Sequence, residues 1–98
     1  MEIKKAQQWV DEDWKTKSQT VDEHLEILFL MEELGEMAEM IRKQAGKKER
    51  KNIKVDLGKE MGDILISLLT LANRYGVDLE QSFLKSKRKI IKRHKQGY

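Results

Sequence analysis

The stretch DLGKEMGDILISLLTLANRY, residues 56–75, decides the fold. Between Ile64 and Ala72 its isoleucine and leucine side chains surround a helix on nearly every side. A helix that is apolar all round must be buried on all sides. Glu60 and Asp63 lie three residues apart and therefore share one face of this otherwise apolar helix. The stretch predicts a buried helix that carries carboxylates along one line.

Helix signals on either side of this stretch complete an all-α pattern. A first amphipathic helix is expected from about Ile3 to Trp14, because its apolar residues recur at steps of three and four. Thr20 and Glu23 have the spacing of a capping box, so a second helix should begin near Val21 and run to about Ala45. Gly46 and the basic stretch 47–52 predict a stop and a loop.

The third helix should begin between Ile53 and Asp56 and continue to Tyr75, with Gly76 as its C-terminal stop. The stretch 78–81 resembles a capping box and should open a fourth helix that extends into a basic tail. We therefore expect one domain, residues 1–98, built as a four-helix-type bundle of two long and two short helices. Three other helices cannot cover the third on all sides, so homo-oligomerisation to a dimer or tetramer should complete the bundle.

The amino-acid composition excludes several classes of protein. The chain of 98 residues has no cysteine, which excludes disulfides, thiolate metal sites and a cysteine nucleophile. Its start lacks the apolar core of a secretory signal, and its longest apolar run is far too short to span a membrane. We expect a soluble, cytoplasmic protein. The net charge is only +3, but residues 85–95 contain seven Lys or Arg and no acid, a pattern that suits either phosphate contacts or a solvated helix end.

Two further acids lie on the second helix where apolar residues are expected. Glu33 and Glu36 point about 60° apart and share a sector with Phe29, Leu30 and Met37. Glu32 and Glu39 fall at the edge of that sector. Burying an unpaired carboxylate costs several kcal/mol, so facing acid pairs on two helices call for a cation.

The ligand chemistry favours a hard divalent ion. Carboxylate oxygens suit Mg²⁺ or Mn²⁺, whereas the di-iron helical bundles use Glu-x-x-His on two helices. Here the partners three residues after Glu33 and Glu60 are Glu36 and Asp63, so the imidazoles are missing. The alternative is that these acids pair with lysines or line a wet groove.

A known family has this acid pattern. The segments Glu32-Glu33-Leu34-Gly35-Glu36 and Glu60-Met61-Gly62-Asp63 resemble the E-E-x-x-E … E-x-x-D signature of MazG-like nucleoside triphosphate pyrophosphohydrolases. The stretches 64–69 and 77–81 are similar to the family pattern as well, so the resemblance covers about residues 21–93. It implies an all-α fold, dimers or dimers of dimers, and Mg²⁺-dependent conversion of a nucleoside or deoxynucleoside triphosphate to the monophosphate and pyrophosphate. The natural task would be removal of unwanted or damaged nucleotides.

The resemblance also implies residue roles. Glu33, Glu36, Glu60 and Asp63 match the metal ligands, and Glu32 matches the first acid of the signature in an accessory role. Glu32 or Glu36 is our expectation for the catalytic base that accepts the proton of the attacking water.

Cations and aromatic rings supply the predicted substrate contacts. The candidates for the phosphates are Lys59, Arg74, Lys85, Lys87, Lys89 and Arg93. Trp14 could stack on a nucleobase or hold the first helix on the bundle, whereas core packing is favoured for Trp9. Many relatives have an asparagine about where Ile90 stands, which puts base contacts from the fourth helix in doubt.

Two other function classes compete with the enzyme. The basic stretches 47–54 and 85–95 could bind nucleic acid through phosphate contacts, although no base-reading motif is present and the acid face would repel the ligand. A non-catalytic bundle stabilised by metal is the third reading.

Overall fold

The computed structural model describes residues 2–17, 20–44 and 53–97, and the whole of this part is helical or connecting, without a strand. The helices are α1 (Ile3–Thr16), α2 (Glu23–Gln44), α3 (Ile53–Arg74) and α4 (Leu79–Lys95). The all-α prediction with four helices is confirmed. Gly46 and the predicted loop 47–52 lie outside the described residues.

The start of α2 differs from the predicted capping box. Asp22, not Thr20, caps the helix, because its Oδ1 accepts hydrogen bonds from the backbone N–H of His24 at 3.1 Å and of Leu25 at 3.2 Å. Glu23 does not turn back towards a cap. Its carboxyl forms a hydrogen bond with its own backbone, and its Oε2 accepts a hydrogen bond from Arg74 Nε at 3.2 Å.

The end of α3 follows the sequence prediction. Gly76 has a φ of 66°, and the backbone N–H of Val77 donates to the carbonyl of Ala72 at 2.8 Å while that of Gly76 donates to Asn73 at 3.2 Å. This pair of bonds is the Schellman motif. Asp78 then caps α4 by accepting from the N–H of Gln81 at 3.1 Å.

Helices α2 and α3 form an antiparallel hairpin that bears most of the tertiary contacts. The other face of α3 packs against α1, where Val10 and Leu69 are both 2% exposed. A polar clamp reinforces this contact, since Gln7 Nε2 donates to the carbonyl of Val77 at 2.8 Å and Asn73 Nδ2 donates to the carbonyl of Gln7 at 2.9 Å. No motif in the sequence predicts this clamp.

A single chain leaves much apolar surface uncovered. On α3, Leu65 is 52% exposed and Leu68 is 43% exposed, so the helix that the sequence predicts to be buried on all sides is covered on only part of its circumference. Further exposed apolar side chains of α2 are Ile27, Leu28, Phe29, Met31, Leu34 and Ile41. Oligomerisation stays a prediction, and its physical reason is visible in this surface.

Helix α4 has little cover. It packs chiefly against α1, and every residue from Gln81 to Gly97 is exposed. Among the described helices, none has the length and apolar character needed to cross a membrane.

Candidate metal centre

The two long helices bring the four predicted metal ligands close enough for their charges to affect one another. Glu33 and Glu36 come from α2, and Glu60 and Asp63 come from α3. Glu60 is buried, Glu33 is half-buried, and Glu36 and Asp63 are exposed. The two helices run in opposite directions. Glu33, the earlier acid of α2, therefore lies near Asp63, the later acid of α3, and Glu36 lies near Glu60.

The carboxylates raise one another's pKa values at Glu33 and Glu60. Burial raises the pKa of Glu60, and repulsion by Glu36 and then Glu33 raises it further. Burial likewise raises the pKa of Glu33, followed in effect by the charges of Asp63 and Glu36. Among the described residues, burial and other carboxylates shift both pKa values and no cation contributes to either shift. Within residues 2–17, 20–44 and 53–97, Glu33 and Glu60 are therefore not paired with lysines.

In the part of the chain that the structure describes, two carboxylate oxygens are buried without a hydrogen-bond partner. Glu33 Oε2 and Glu60 Oε1 are closed to solvent and accept no hydrogen bond. A buried carboxylate oxygen without a donor costs several kcal/mol unless a cation or donor reaches it. The donor set is oxygen only, which fits a hard divalent cation such as Mg²⁺. Across residues 2–17, 20–44 and 53–97, however, no three acid or histidine side chains are arranged to hold an ion together.

The neighbouring acids of α2 divide into two kinds. Glu32 is exposed beside the cluster and adds to the repulsion that raises the pKa of Glu33. Glu39 is not part of the carboxylate cluster. Arg42 Nε donates to Glu39 Oε2 at 3.2 Å, and this hydrogen bond lowers the pKa of the Glu39 carboxyl. Glu39 is thus an ordinary solvated residue, as its position at the edge of the apolar sector predicts.

The predicted phosphate-binding cations do not gather at the acids within one chain. Arg74 is paired with Glu23 at the other end of the hairpin. Lys59 is an exposed neighbour of Glu60 in the chain. The predicted cations of α4 are all exposed, and they are Lys85, Lys87, Lys89 and Arg93.

Trp14 lines a cavity of about 480 Å³ between α1 and the end of α3. Its indole Nε1 donates to Thr70 Oγ1 at 3.2 Å, and Lys17 Nζ lies 5.2 Å from the ring centroid. The other lining residues are Asp11, Thr20, Val21, Thr70, Asn73 and Arg74. Asp11 and Asn73 were missed by sequence reasoning, because a single polar residue on a helix carries no motif.

Trp9 does not pack in the core of the chain, contrary to the preference from sequence. It is 55% exposed and lines an apolar groove with Ala6, Leu65 and Leu69.

These features define a helical protein with a carboxylate cluster between its two longest helices. The chain belongs to the MazG nucleotide pyrophosphohydrolase domain family, whose model matches residues 21–98. It is 30% identical over 105 residues to the uncharacterized protein YvdC of Bacillus subtilis (strain 168), with 95% of this chain and 96% of that protein covered. No solved structure matches the chain significantly. The match begins just before α2, so α1 lies outside it.

Proposed function

We propose that this protein is a divalent-metal-dependent pyrophosphohydrolase that converts a nucleoside or deoxynucleoside triphosphate to its monophosphate and pyrophosphate. The observation that carries the proposal is the pair of buried, partnerless oxygens Glu33 Oε2 and Glu60 Oε1, found in a chain that matches this family over residues 21–98. Removal of unwanted or damaged nucleotides is the task we assign to it. One domain, residues 1–98, would perform it.

Glu33, Glu36, Glu60 and Asp63 would hold Mg²⁺, or Mn²⁺ in its place. The ion would supply positive charge against the triphosphate and lower the cost of attack at phosphorus. The reaction adds a water oxygen to the α-phosphorus and breaks its bond to the bridging oxygen that leaves with pyrophosphate. A carboxylate must accept the water proton, and Glu36 or Glu32 suits this role because both are exposed at the cluster.

Cations and an aromatic ring would hold the substrate. Lys59 lies beside Glu60 and could contact a phosphate, while Arg74 and Trp14 share the cavity at the other end of the hairpin. A ring of this kind offers its face to a base or sugar. Lys85, Lys87, Lys89 and Arg93 remain proposed phosphate contacts, although α4 of the same chain packs chiefly against α1.

A homodimer or homotetramer is part of the proposal. On α2, the exposed side chains Ile27, Met31 and Leu34 recur at steps of four and three residues, and on α3 Met61, Leu65 and Leu68 do the same. This is the spacing of a seam between packed helices. Two such hairpins placed face to face would cover both stripes.

Product analysis tests the activity. The protein is incubated with Mg²⁺ and a panel of unmodified, deoxy and modified triphosphates, and nucleotide products are resolved. Monophosphate and pyrophosphate in equal amounts are expected, with activity abolished by chelator and by the double substitution Glu36→Gln/Glu60→Gln. The matched control is Glu39→Gln, which alters an acid of α2 outside the cluster. If no triphosphate is cleaved, or if the double variant is as active as the unaltered protein, the proposal fails.

A further inference from the structure

Helix α1 contributes Asp11 and Trp14 to the wall of the cavity of about 480 Å³, which we call the Trp14 cavity. The family model matches residues 21–98, so both residues lie outside the part of the chain that carries the four acids. Thr70 and Asn73 of α3 line the cavity from inside the matched part. The Trp14 cavity is therefore a place where α1 can restrict what the domain accepts without touching the carboxylates.

The Trp14 cavity lies about the length of a nucleotide away from the carboxylates. Asp63 and Thr70 are separated by two helical turns, so they lie on nearly the same line of α3 and about 10 Å apart along its axis. Asn73 lies about 15 Å from Asp63 along the same axis. A triphosphate whose α-phosphate meets the carboxylates would extend its base into the cavity, which has the volume of a small-molecule site.

Trp14 is held in one orientation as a stacking surface. Its Nε1 donates to Thr70 Oγ1 at 3.2 Å, and that hydroxyl donates to the carbonyl of Ile66 at 2.8 Å. Thr70 is only 1% exposed, so the anchor is shielded from water. Lys17 Nζ lies over the ring, which leaves the opposite face of the ring for a flat ligand. Every base has such a face, so stacking alone does not select among bases.

Asp11 and Asn73 offer opposite hydrogen-bonding chemistry to the edge of a base. They line a second cavity together as well, so the two side chains are neighbours. Asp11 has Lys15 Nζ 3.0 Å from its Oδ2, and an ionised carboxylate accepts hydrogen bonds but donates none. Gln7 fixes the amide of Asn73, because Asn73 Nδ2 donates to the Gln7 carbonyl at 2.9 Å and Asn73 Oδ1 accepts from Gln7 Nε2 at 3.2 Å. This arrangement uses one of the two amide hydrogens of Asn73, and the second can be donated.

Cytosine and adenine present the matching edge. In each base an amino group stands next to an unprotonated ring nitrogen, which places a donor beside an acceptor. Uracil and hypoxanthine have a carbonyl in place of that amino group and an N–H in place of that ring nitrogen, so their edge has the opposite pattern. A carboxylate accepts readily from the amino group of cytosine and repels a carbonyl oxygen at the same position.

We propose that Asp11 accepts a hydrogen bond from the exocyclic amino group of the base while Asn73 donates to the adjacent ring nitrogen. The protein would then favour triphosphates of cytosine and adenine over those of uracil and hypoxanthine. The assignment rests on the proposed function, since it names the substrate class of that same site. It makes Asp11 a specificity determinant that acts through the base and takes no part in the attack on phosphorus.

A sugar contact is the competing role for Asp11, because carboxylates also accept hydrogen bonds from ribose hydroxyls. The sugar is joined directly to the α-phosphate and must lie close to the carboxylates. Asn73, the neighbour of Asp11, lies about 15 Å along α3 from Asp63. The base is the part of the nucleotide that extends this far, so the position of Asp11 favours the base.

Binding of analogues that resist cleavage tests the selectivity without turnover. Isothermal titration calorimetry in Mg²⁺ compares the α,β-imido analogues of CTP and UTP, in which an NH group replaces the oxygen between the first two phosphorus atoms. We expect the cytosine compound to bind at least about tenfold more tightly, because the uracil edge leaves the polar groups of the cavity unpaired. The analogues of ATP and ITP should differ in the same direction.

Two matched variants assign the effect to Asp11. Asp11→Asn replaces an acceptor with a group that can also donate, so the ratio of the two affinities should fall to within about threefold. The control is Glu12→Gln, because Glu12 is an exposed acid of the same helix and is not among the described residues that line the cavity. It should keep the ratio of the unaltered protein. Equal affinities in the unaltered protein, no binding of either analogue, or equal effects of the two substitutions would overturn the assignment.

Two further measurements separate the base contact from the sugar contact and from the proposed activity. If Asp11→Asn changes the preference between ribose and deoxyribose analogues and not that between cytosine and uracil, Asp11 contacts the sugar and the assignment is wrong. Hydrolysis of CTP and UTP by the unaltered protein with equal kcat/KM would sink the selectivity alone. Selective binding of the cytosine analogue without cleavage of any triphosphate would sink the proposed function and leave the base contact standing.

Discussion

Arg74 Nε donates to Glu23 Oε2 at 3.2 Å and closes one end of the α2–α3 hairpin across 51 residues of sequence. The same antiparallel register, followed towards the other end, brings Asp63 close enough to Glu33, and Glu36 close enough to Glu60, to raise the pKa values of Glu33 and Glu60. The Arg74–Glu23 ion pair and the proposed metal centre therefore depend on the same contact between α2 and α3. Surface pairs of this type add little stability by themselves, so the apolar contacts of the hairpin must hold the register.

The acid cluster should make the metal-free protein less stable as the pH rises. Glu33 and Glu60 have pKa values raised above the usual 4.5, so the folded state binds more protons than the unfolded state in the window above 4.5. Stability then falls as the pH rises through that window. Urea unfolding in chelator at pH 5 and pH 8 measures the effect, and the double substitution Glu33→Gln/Glu60→Gln should flatten it.

Glu23→Gln provides the opposite control. Glu23 has a lowered pKa, in the first place from a hydrogen bond to its own backbone and then from Arg74. Its contribution is present above pH 4.5 and is lost as the pH falls through the lowered value. The substitution should therefore change how the free energy of unfolding varies with pH below 4.5. It should not change the difference in that free energy between pH 5 and pH 8. A pH 5 to pH 8 difference that persists in Glu33→Gln/Glu60→Gln would show that other groups cause it.

Mg²⁺ should stabilise the folded protein by binding at the cluster. A ligand that binds only the native state at one hundred times its Kd adds about 2.7 kcal/mol to the free energy of unfolding. Thermal unfolding across a Mg²⁺ series should show a rising Tm for the unaltered protein and for Glu39→Gln, but none for Glu33→Gln/Glu60→Gln. A rise of equal size in all three proteins would place the binding elsewhere.

Gln7 should be a stability determinant that has no role in the chemistry. It is 8% exposed, and its side chain bonds Asn73 Oδ1, the carbonyl of Val77 and the N–H of Leu79 at 3.2, 2.8 and 2.9 Å. Gln7→Ala removes all three of these part-buried hydrogen bonds and should lower the free energy of unfolding by about 1–3 kcal/mol. Its exposed neighbour Gln8 is the matched control, and Gln8→Ala should change stability by less than about 0.5 kcal/mol. Equal losses in the two variants would refute the clamp.

The contrast between Gly76 and Thr20 shows which features the sequence can predict. Gly76 and Asp78 act through backbone groups a few residues away, so the end of α3 and the start of α4 could be predicted from local sequence. The Thr20–Glu23 box failed because Glu23 has a partner 51 residues away, which no local pattern reveals. The acids of the candidate site were predictable from their intrusion into an apolar sector.

The clamp of Gln7 and the position of α4 were not predictable in the same way. A lone glutamine has no period or motif, and its three bonds depend on how α1 crosses α3. The basic character of α4 was evident, but its packing against α1 and away from the acids depends on the direction in which the chain leaves Gly76. Tertiary geometry decides both features.

Trp14 should report nucleotide binding if it contacts the substrate. The chain has two tryptophans, so Trp9→Phe leaves Trp14 as the sole indole fluorophore. Titration with a triphosphate in the presence of Ca²⁺, used to slow turnover, should quench its emission, and Trp14→Phe should raise KM with a smaller effect on kcat. An emission that does not respond to nucleotide, together with an unchanged KM, would restrict Trp14 to its structural bond with Thr70.

Covering the exposed stripe of α2 should require a second copy. Met31 is 62% exposed and lies on the stripe, whereas Phe29 is 45% exposed on the opposite side of the same helix. A glutamate at either position costs a single folded chain little, since both side chains already face solvent. Met31→Glu should therefore reduce the mass measured by sedimentation towards that of the 11.6 kDa chain, while Phe29→Glu should not. A mass that Met31→Glu leaves unchanged would show that this stripe is not the seam between copies.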